Sequence, residues 1–351
     1  MTNQNKELEV DSERPSVTVV LYAYNEERYI REAVESTFAQ IYSPLEIVLS
    51  DDGSSDRTFA IMEELTAAYR GPHKIILNKN ERNIGIGSQL NAAVTKTTGD
   101  LIVLANADDV SLPNRVTVVV DQWLAVDRRA SVISSDVAVI GPDGEPLQRI
   151  LNTETVFSSL EDGARKRFGG VLAASMCLRR DVFVAFGPLP ENLILEDNPL
   201  YLRATLVGER IHLREPLVRY RVHADNISQA YEVVEFDEWQ QRHHLKAIWQ
   251  KTESVKAYLQ MLRDLHAAPA ESWPQQDLKR ARWVAMEKLV ENAMLRDYYL
   301  GDRTVPTRQR LTTLLRLLLL ASKLFIKHLV PSIERRNDRW HYSRVKEAKK
   351  G

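Results

Sequence analysis

The chain has 351 residues, 44% hydrophobic and 27% charged, with a formal net charge of -1, the composition of an ordinary globular protein with room for one large domain plus an appendage, or two domains. That balance leaves no electrostatic footprint for nucleic acid as a partner. The single cysteine, Cys177, excludes an internal disulfide framework and fits a reducing compartment.

Residues 1–14 are polar and lack the apolar core of a signal peptide, so a loose tail is expected there. Ser16–Tyr22, SVTVVLY, is rich in β-branched residues and predicts the first strand. Asn25 then suits a helix N-cap, with Glu26 and Glu27 in the first turn. Ile30, Ala33, Val34, Phe38 and Ile41 keep helical spacing, and Pro44 ends the run. Leu45–Leu49 predicts a second strand, broken by Asp51-Asp52-Gly53-Ser54-Ser55-Asp56. A helix with Phe59, Met62, Leu65 and Tyr69 on one face follows. Next come a strand over Lys74–Asn78, a helix over Ser88–Thr97 and a strand over Leu101–Ala105. A further helix is expected from Asn114 to Val126 despite the β-branched run Thr117–Val120. Ser131–Ile140 predicts a strand that ends in the turn Gly141-Pro142-Asp143-Gly144.

Strands alternating with helices imply βαβ units and a parallel sheet covered on both faces. Ligands of open α/β sheets bind outside the carboxyl ends of the strands. The polar strand ends Asp51-Asp52 and Asn106–Asp109 then lie on one edge, around one crevice. The stretch Leu101–Arg115, LIVLANADDVSLPNR, is the centre of this arrangement. Its carboxylates suit a hard divalent cation that leaves positions for substrate phosphates. Taken alone they also suit an Asp-rich turn capping the helix after Pro113.

Beyond Gly141 the pattern loosens. Residues 151–166 read as a loop and a partial helix, and Gly169-Gly170 opens an apolar segment ending at Leu178. Within it Cys177 reads as a small core residue, not a nucleophile. Leu193–Leu195 leads into Glu196-Asp197, helical character resumes from Pro199 to Val207, and Arg219–His223 predicts a last short strand. From about Ala230 onward the spacing is helical. Gly85-Ile86-Gly87 lacks the third glycine of a dinucleotide fingerprint.

Six stretches occur in order: YAYNEE, VLSDDGSSDRT, RNIGIGSQLNAA, GDLIVLANADDVSLPNR, LEDNPLYLR and YRVHADNIS. Together they resemble the family 2 glycosyltransferases, enzymes of the GT-A fold that use nucleotide-diphosphate sugars, over roughly residues 15–230. The resemblance implies an α/β, Rossmann-like, mostly parallel sheet flanked by helices. A tail (1–14) would precede this catalytic domain (15–230), and an all-helical appendage (231–351) would follow it.

By the same resemblance, Tyr24 lies against the nucleobase and Asp52 accepts from its ring N–H. A uracil suits that pair, since it wants an aromatic face and an acceptor for its imide. Glu26, Asn83, Gly85 and Asn106 complete the nucleotide side. Asp108 matches the metal-ligating carboxylate of the D-x-D motif, for Mn2+ or Mg2+, and His223 approaches the diphosphate or the metal. Asp197 matches the general base. Asp109, Glu196 and Gly170 are grouped with the acceptor side, Glu196 being expected to face away or to orient its neighbour. Two positions depart from the family pattern. Tyr22-Ala23 stands where Pro-Thr or Pro-Ser is usual, and Asn106 replaces the first Asp of the motif, with one less negative charge for a metal.

The implied activity is an inverting transfer from a nucleotide-diphosphate sugar, UDP-linked, to a hydroxyl of a glycan or lipid-linked acceptor in cell-surface polysaccharide assembly. Simpler readings stand beside it. Asp197 fits an N-cap of the helix at Pro199, and His223 a histidine bonded at a strand end. A catalytically weak homologue that binds nucleotide sugar as a partner or scaffold is the rival, favoured by Asn106 and Tyr22-Ala23 and opposed by Asp108 and Asp197.

Leu311–Val330 is long enough to span a bilayer. Wound as a helix, however, it places Thr312, Arg316, Lys323 and Lys327 along one stripe. The tail Pro331–Gly351 carries seven Lys/Arg against three Asp/Glu. An interfacial helix on anionic lipid, a helix packed on the catalytic domain or a second subunit, and a true span are all compatible with this pattern. The expected setting is cytoplasmic, with peripheral contact to the inner-membrane surface through 311–351.

Overall fold

The computed structural model describes residues 14–191, 193, 196–223, 236–269 and 271–299, with backbone alone at 236–249, 294 and 297–299. The expected amphipathic helix 311–330, the basic tail after it and nearly all of the N-terminal tail lie outside the described residues.

The first half is built of βα units. Strands β1 (Val17–Ala23), β2 (Leu45–Asp51), β3 (Lys74–Lys79) and β4 (Leu101–Asn106) alternate with helices α1 (Ile30–Phe38), α2 (Thr58–Ala68) and α3 (Ile86–Thr95). They pair in parallel in the order β3-β2-β1-β4. The near-continuous apolar runs of β1, β2 and β4 are buried along their length, as parallel strands covered on both faces require. On α1, Ile30, Ala33, Val34 and Thr37 point inward at the i, i+3, i+4, i+7 spacing of an amphipathic helix.

The second half is mixed. It comprises β5 (Val110–Ser111), α4 (Arg115–Ala125), β6 (Ala130–Ile140), β7 (Pro146–Leu151), α5 (Leu160–Arg165), a 3-10 turn (Ala173–Ser175), β8 (Cys177–Arg179), α6 (Asp181–Val184), α7 (Asp197–Val207) and β9 (Glu209–Arg221). Among the described residues nine strands form one sheet, ordered β3-β2-β1-β4-β8-β6-β9-β5, with β7 also on β6. The short β8 runs antiparallel to both β4 and β6 and so joins the two halves. Cys177 on it is buried, and burial pushes its thiol up to about 12.

Helix α4 forms despite its β-branched run because Val116, Val119, Val120 and Trp123 are all buried, and burial outweighs a propensity difference of a fraction of a kcal/mol per residue. Three expectations need correction. Asn25 is no helix cap: it sits at φ 55 and α1 begins only at Ile30. Ile41, placed on that helix by its spacing, lies beyond it and is 67% exposed. The last strand spans Glu209–Arg221, starting ten residues before the expected Arg219. Its polar stretch still pairs with β6, with register shifts between Ser135 and Val137.

The chain divides into two compact units, Met1–Glu232 with Asp264–Ala281, and Val233–Arg263 with Arg282–Gly351. Helices α8 (Phe236–Ala267) and α9 (Gln275–Tyr299) contribute to both. In the first unit α7 is buried from Asn198 to Leu206. It is anchored by Trp273, whose indole N–H donates to Thr205 O (3.1 Å), and by the Arg203–Asp264 ion pair (3.1 Å), whose side chains are 0% and 2% exposed. In the second unit Glu253 is fully buried against Lys256 (2.9 Å). Among the described residues no helix is long and apolar enough to cross a membrane.

Removing one partner of a buried ion pair strands the other charge. Asp264→Ala is therefore expected to cost about 3–5 kcal/mol of stability, read as a lower midpoint in thermal or urea melts. A loss below about 1 kcal/mol, the range of exposed pairs, would contradict that account of how α7 is held.

Candidate active site

The strand ends set the site. Register pairs Tyr22 with both Ser50 and Asn106, and Ser50 with Asn78, so β1 to β4 finish at one level. The loop after β1 is laced to the loop after β2. Asn25 N–H donates to Ser54 Oγ (2.8 Å), Ser55 N–H to Asn25 Oδ1 (2.9 Å), Glu26 N–H to Thr58 Oγ1 (2.7 Å) and Glu27 N–H to Asp56 Oδ2 (3.0 Å). Asn25 takes its left-handed backbone because this lacing needs it, a conformation asparagine tolerates.

Asp52, buried at the end of β2, accepts from Asn80 Nδ2 (2.8 Å), Ile84 N (3.0 Å) and Gly85 N (2.9 Å). It thereby binds the loop after β3 to the other two. Gly85 (φ +86) also donates to Asn83 Oδ1 (3.1 Å). Gly53 is at φ +72, and a Cβ there would lie 2.6 Å from the carbonyl carbon of Arg82, so this crossing has room for glycine only. Tyr24 stands 46% exposed at the mouth. The structure thus brings Tyr24, Glu26, Asp52, Asn83 and Gly85 onto three interlinked loops.

The second cluster lies after β4. Asn106 Nδ2 donates to Asp109 Oδ2 (3.2 Å) and Asp109 Oδ1 accepts from Arg221 N (2.8 Å). Burial, then the charge of Asp108, push the Asp109 carboxyl well above its ordinary range. Asp108 faces His223, Oδ2 to Nε2 at 3.2 Å, and the His223 ring packs on Tyr29 with centroids 4.6 Å apart. Arg221, nearly inaccessible, donates from Nε to Asp108 O (2.8 Å) and from Nη1 to Gly141 O and Pro142 O. Arg115 is buried beneath, donating to Ser111 Oγ, Leu104 O and Ala174 O; burial lowers its guanidinium to about 10.

The third cluster joins β1 to α7. Tyr22 hydroxyl donates to Glu196 Oε1 (3.1 Å), both groups being buried. Burial first, and then the charges of Glu196, Asp197 and Asp109, push the phenol well above its ordinary range. Burial and the neighbouring Asp197 raise Glu196 to about 8. Burial raises Asp197 to about 6, against the opposing pull of the Asn198 N–H and the Arg167 guanidinium. Asp197 is the first residue of α7 and accepts from Asn198 N (2.8 Å). Arg167 and Phe168 take left-handed backbone (φ 59 and 49) just before Gly170 (φ 112), whose would-be Cβ lies 3.1 Å from Thr155 Oγ1.

The profile of Glycosyl transferase family 2 matches residues 18–185. Over that stretch, just under half of its length, the chain is similar to the family. Its relatives include EpsE of Bacillus subtilis (strain 168), designated a glycosyltransferase, 29% identical over 212 residues that cover 60% of this chain and 74% of EpsE. The glycosyltransferase MJ1057 of Methanocaldococcus jannaschii is 35% identical over 108 residues, 30% of this chain and 36% of that protein. Among solved structures, the mannosyltransferase PcManGT from Pyrobaculum calidifontis, in complex with GDP-Man and Mn2+, superposes with a TM-score of 0.52 at 18% identity, covering 88% of this chain and 81% of that one. At that identity the likeness concerns the fold. The protein is a glycosyltransferase of GT-A architecture.

Within this glycosyltransferase, sequence reasoning missed Arg221, although it lies inside the quoted YRVH. Tyr22 stands in the sequence reading only as part of Tyr22-Ala23, the departure from Pro-Thr or Pro-Ser, whereas its hydroxyl reaches Glu196. Glu196 points into the protein, so its charge is expected to destabilise the fold once formed. Its carboxyl is raised from 4.5 to about 8. The folded state therefore holds a proton that the unfolded chain releases, and stability falls as pH rises from about 4.5 towards 8. Glu196→Gln keeps the acceptor for Tyr22 and abolishes that loss. It is expected to melt higher than wild type at pH 8, by the order of 1 kcal/mol or more, and equally near pH 4. Equal melting at both values would refute the placement of this carboxyl.

Proposed function

We propose that this glycosyltransferase transfers a sugar, with inversion, from a nucleoside diphosphate donor to a hydroxyl of a glycan or lipid-linked acceptor. The observation that carries the reading is that Asp197, raised by burial, and Asp109, next in sequence to the Asp108–His223 pair, both act on Tyr22 near the end of β1, beside the three laced loops. Those loops receive the nucleotide, with Tyr24 on the base and Asp52 as an acceptor for a ring N–H. Asp52 Oδ2 accepts a single described hydrogen bond and a carboxylate oxygen has capacity for another. UDP suits that acceptor, and a thymidine diphosphate presents the same ring edge.

A divalent metal, Mn2+ or Mg2+, fits the residues present. Asp108 and His223 offer oxygen and nitrogen 3.2 Å apart, and Asn106 Oδ1 is buried without a hydrogen-bond partner. Among the described residues no cluster of three or more His, Cys, Asp or Glu forms a complete cage, which agrees with an ion that takes its remaining ligands from substrate phosphates. Bound there, the metal would neutralise charge developing on the departing nucleotide.

Asp197 does the proton chemistry. Its carboxylate takes the proton of the acceptor hydroxyl as that oxygen attacks the anomeric carbon from the face opposite the nucleotide. A carboxyl at about 6 is ionised at neutral pH yet more basic than an ordinary aspartate. The reaction needs no covalent sugar–enzyme intermediate. Cell-surface polysaccharide assembly and contact of 311–351 with an anionic membrane surface belong to the same proposal, on sequence pattern alone.

Two outcomes test it. With a panel of nucleotide sugars and Mn2+, wild type should release nucleoside diphosphate from one donor. Asp197→Asn should lose at least about 100-fold in turnover while its calorimetric affinity for that donor stays within about threefold, since loss of a base weakens transition-state and not ground-state binding. Second, the base acts deprotonated, so kcat/KM should climb as pH rises through about 6. Full activity persisting at pH 4.5 would remove Asp197 from the role.

A further inference from the structure

We propose that Arg221 is the positioning residue of the donor half of the site, setting the Asp108–His223 pair without touching substrate. The inference rests on the donor-site reading above. Arg221 is 1% exposed, and a buried guanidinium is tolerable only when its N–H groups find partners. Its Nε donates to the backbone carbonyl of Asp108 (2.8 Å) and its own N–H to Asp109 Oδ1 (2.8 Å), so one residue grips the turn at two points. Nη1 holds the β6–β7 turn through Gly141 O (3.3 Å) and Pro142 O (3.1 Å). Nη2 holds Glu32 on α1. The ring of Tyr29 lies 4.9 Å from the guanidinium carbon and also packs on His223.

His223 follows Arg221 by two residues. The same clamp therefore sets where the Asp108 backbone sits and where the chain carrying the histidine leaves β9. The geometry of both groups is fixed by a planar fork that draws together two turns, a helix and a strand end. A lysine cannot reproduce it. Its ammonium is a point charge with three donors, whereas the guanidinium presents five in a rigid plane. A displacement of about 1 Å at a reacting or ligating group is enough to cost on the order of 100-fold, so the clamp should be felt in donor binding more than in folding.

The test uses the full chain as wild type, Arg221→Lys, Arg221→Met and Asp108→Asn, with UDP and GDP in the presence of Mn2+ as calorimetric probes. Thermal midpoints and amide exchange over residues 106–112 are read alongside. Arg221→Lys should melt within a few degrees of wild type, about 1–2 kcal/mol at this size. It should nonetheless bind the Mn2+–nucleotide at least about tenfold more weakly and exchange faster over 106–112. Arg221→Met should be weaker still, and the pH limb assigned to Asp197 should not move in either. Should Arg221→Lys fail to fold, Glu32→Gln, altered at the half-exposed end of the clamp, should show the same changes to a smaller degree. Binding within about twofold of wild type with unchanged exchange, while Asp108→Asn loses binding, overturns the role of Arg221 alone. Wild-type binding retained in Asp108→Asn as well overturns the donor-site reading and this inference with it.

Discussion

Parallel strands that stop at the same level leave a row of backbone groups and side chains facing one way, and the candidate site of this protein depends on that edge. Tyr22, Ser50, Asn78 and Asn106 stand in register across β1 to β4. From there the chain must turn away four times, and each turn is tied to another: the first to the second through Asn25 and Asp56, the second to the third through Asp52, the fourth to the end of β9 through Asp109. Gln89 on α3 closes the row from beneath, donating to Ser50 O and Ala23 O. The loops are ordered because their donors and acceptors satisfy one another, which is what buried backbone demands.

The same edge concentrates acids. Asp52, Asp108, Asp109, Glu196 and Asp197 gather along it, and on the proposed reading a set of full negative charges there would repel an entering diphosphate. Burial moderates this by pushing Asp109, Glu196 and Asp197 upward. Protons therefore sit on part of the cluster at neutral pH, Glu196 at about 8 among them, while Asp197, at about 6, remains ionised. The buried arginines 115 and 221 supply positive charge from behind the turn. Two neighbouring carboxyl groups are held at different values by their surroundings: at neutral pH one stays protonated against Tyr22 and the other is ionised.

Much of this was legible in the chain. Short apolar runs that cannot be amphipathic gave strands buried on both faces, and the polar residues after them marked the edge. The misreadings have local causes. Asn25 has the chemistry of a helix cap, but the same side chain also tolerates left-handed backbone, and here Ser54 and Ser55 claim it. The early part of β9 was missed because Arg210, His212, Arg214, Glu215 and Pro216 break the apolar pattern. Partners across the ladder make up for that, among them the Ser134–His212–Asp136 chain of hydrogen bonds at 2.9 and 2.8 Å. β7 escaped notice because its residues are exposed and carry no alternation. Arg221 could not be found by pattern at all. Alternation within LVRYRVH groups it with Arg219, which is exposed, and only the surrounding carbonyls reveal that it points inward.

The Tyr22–Glu196 bond joins residues 174 apart in sequence, and the Arg221–Glu32 pair spans 189. A ribosome releases the parallel half, with its laced loops, long before either partner exists. For that interval the end of β1 presents an unsatisfied phenol and Glu32 lacks its guanidinium. Non-local closures of this kind are slow to form, and a half-built sheet with an uncovered β4 edge is the sort of species that aggregates or recruits chaperones. The laced loops are thus an early product of synthesis, and the groups set around them are a late one. The site is assembled in the order in which the chain is made, with its chemistry arriving last.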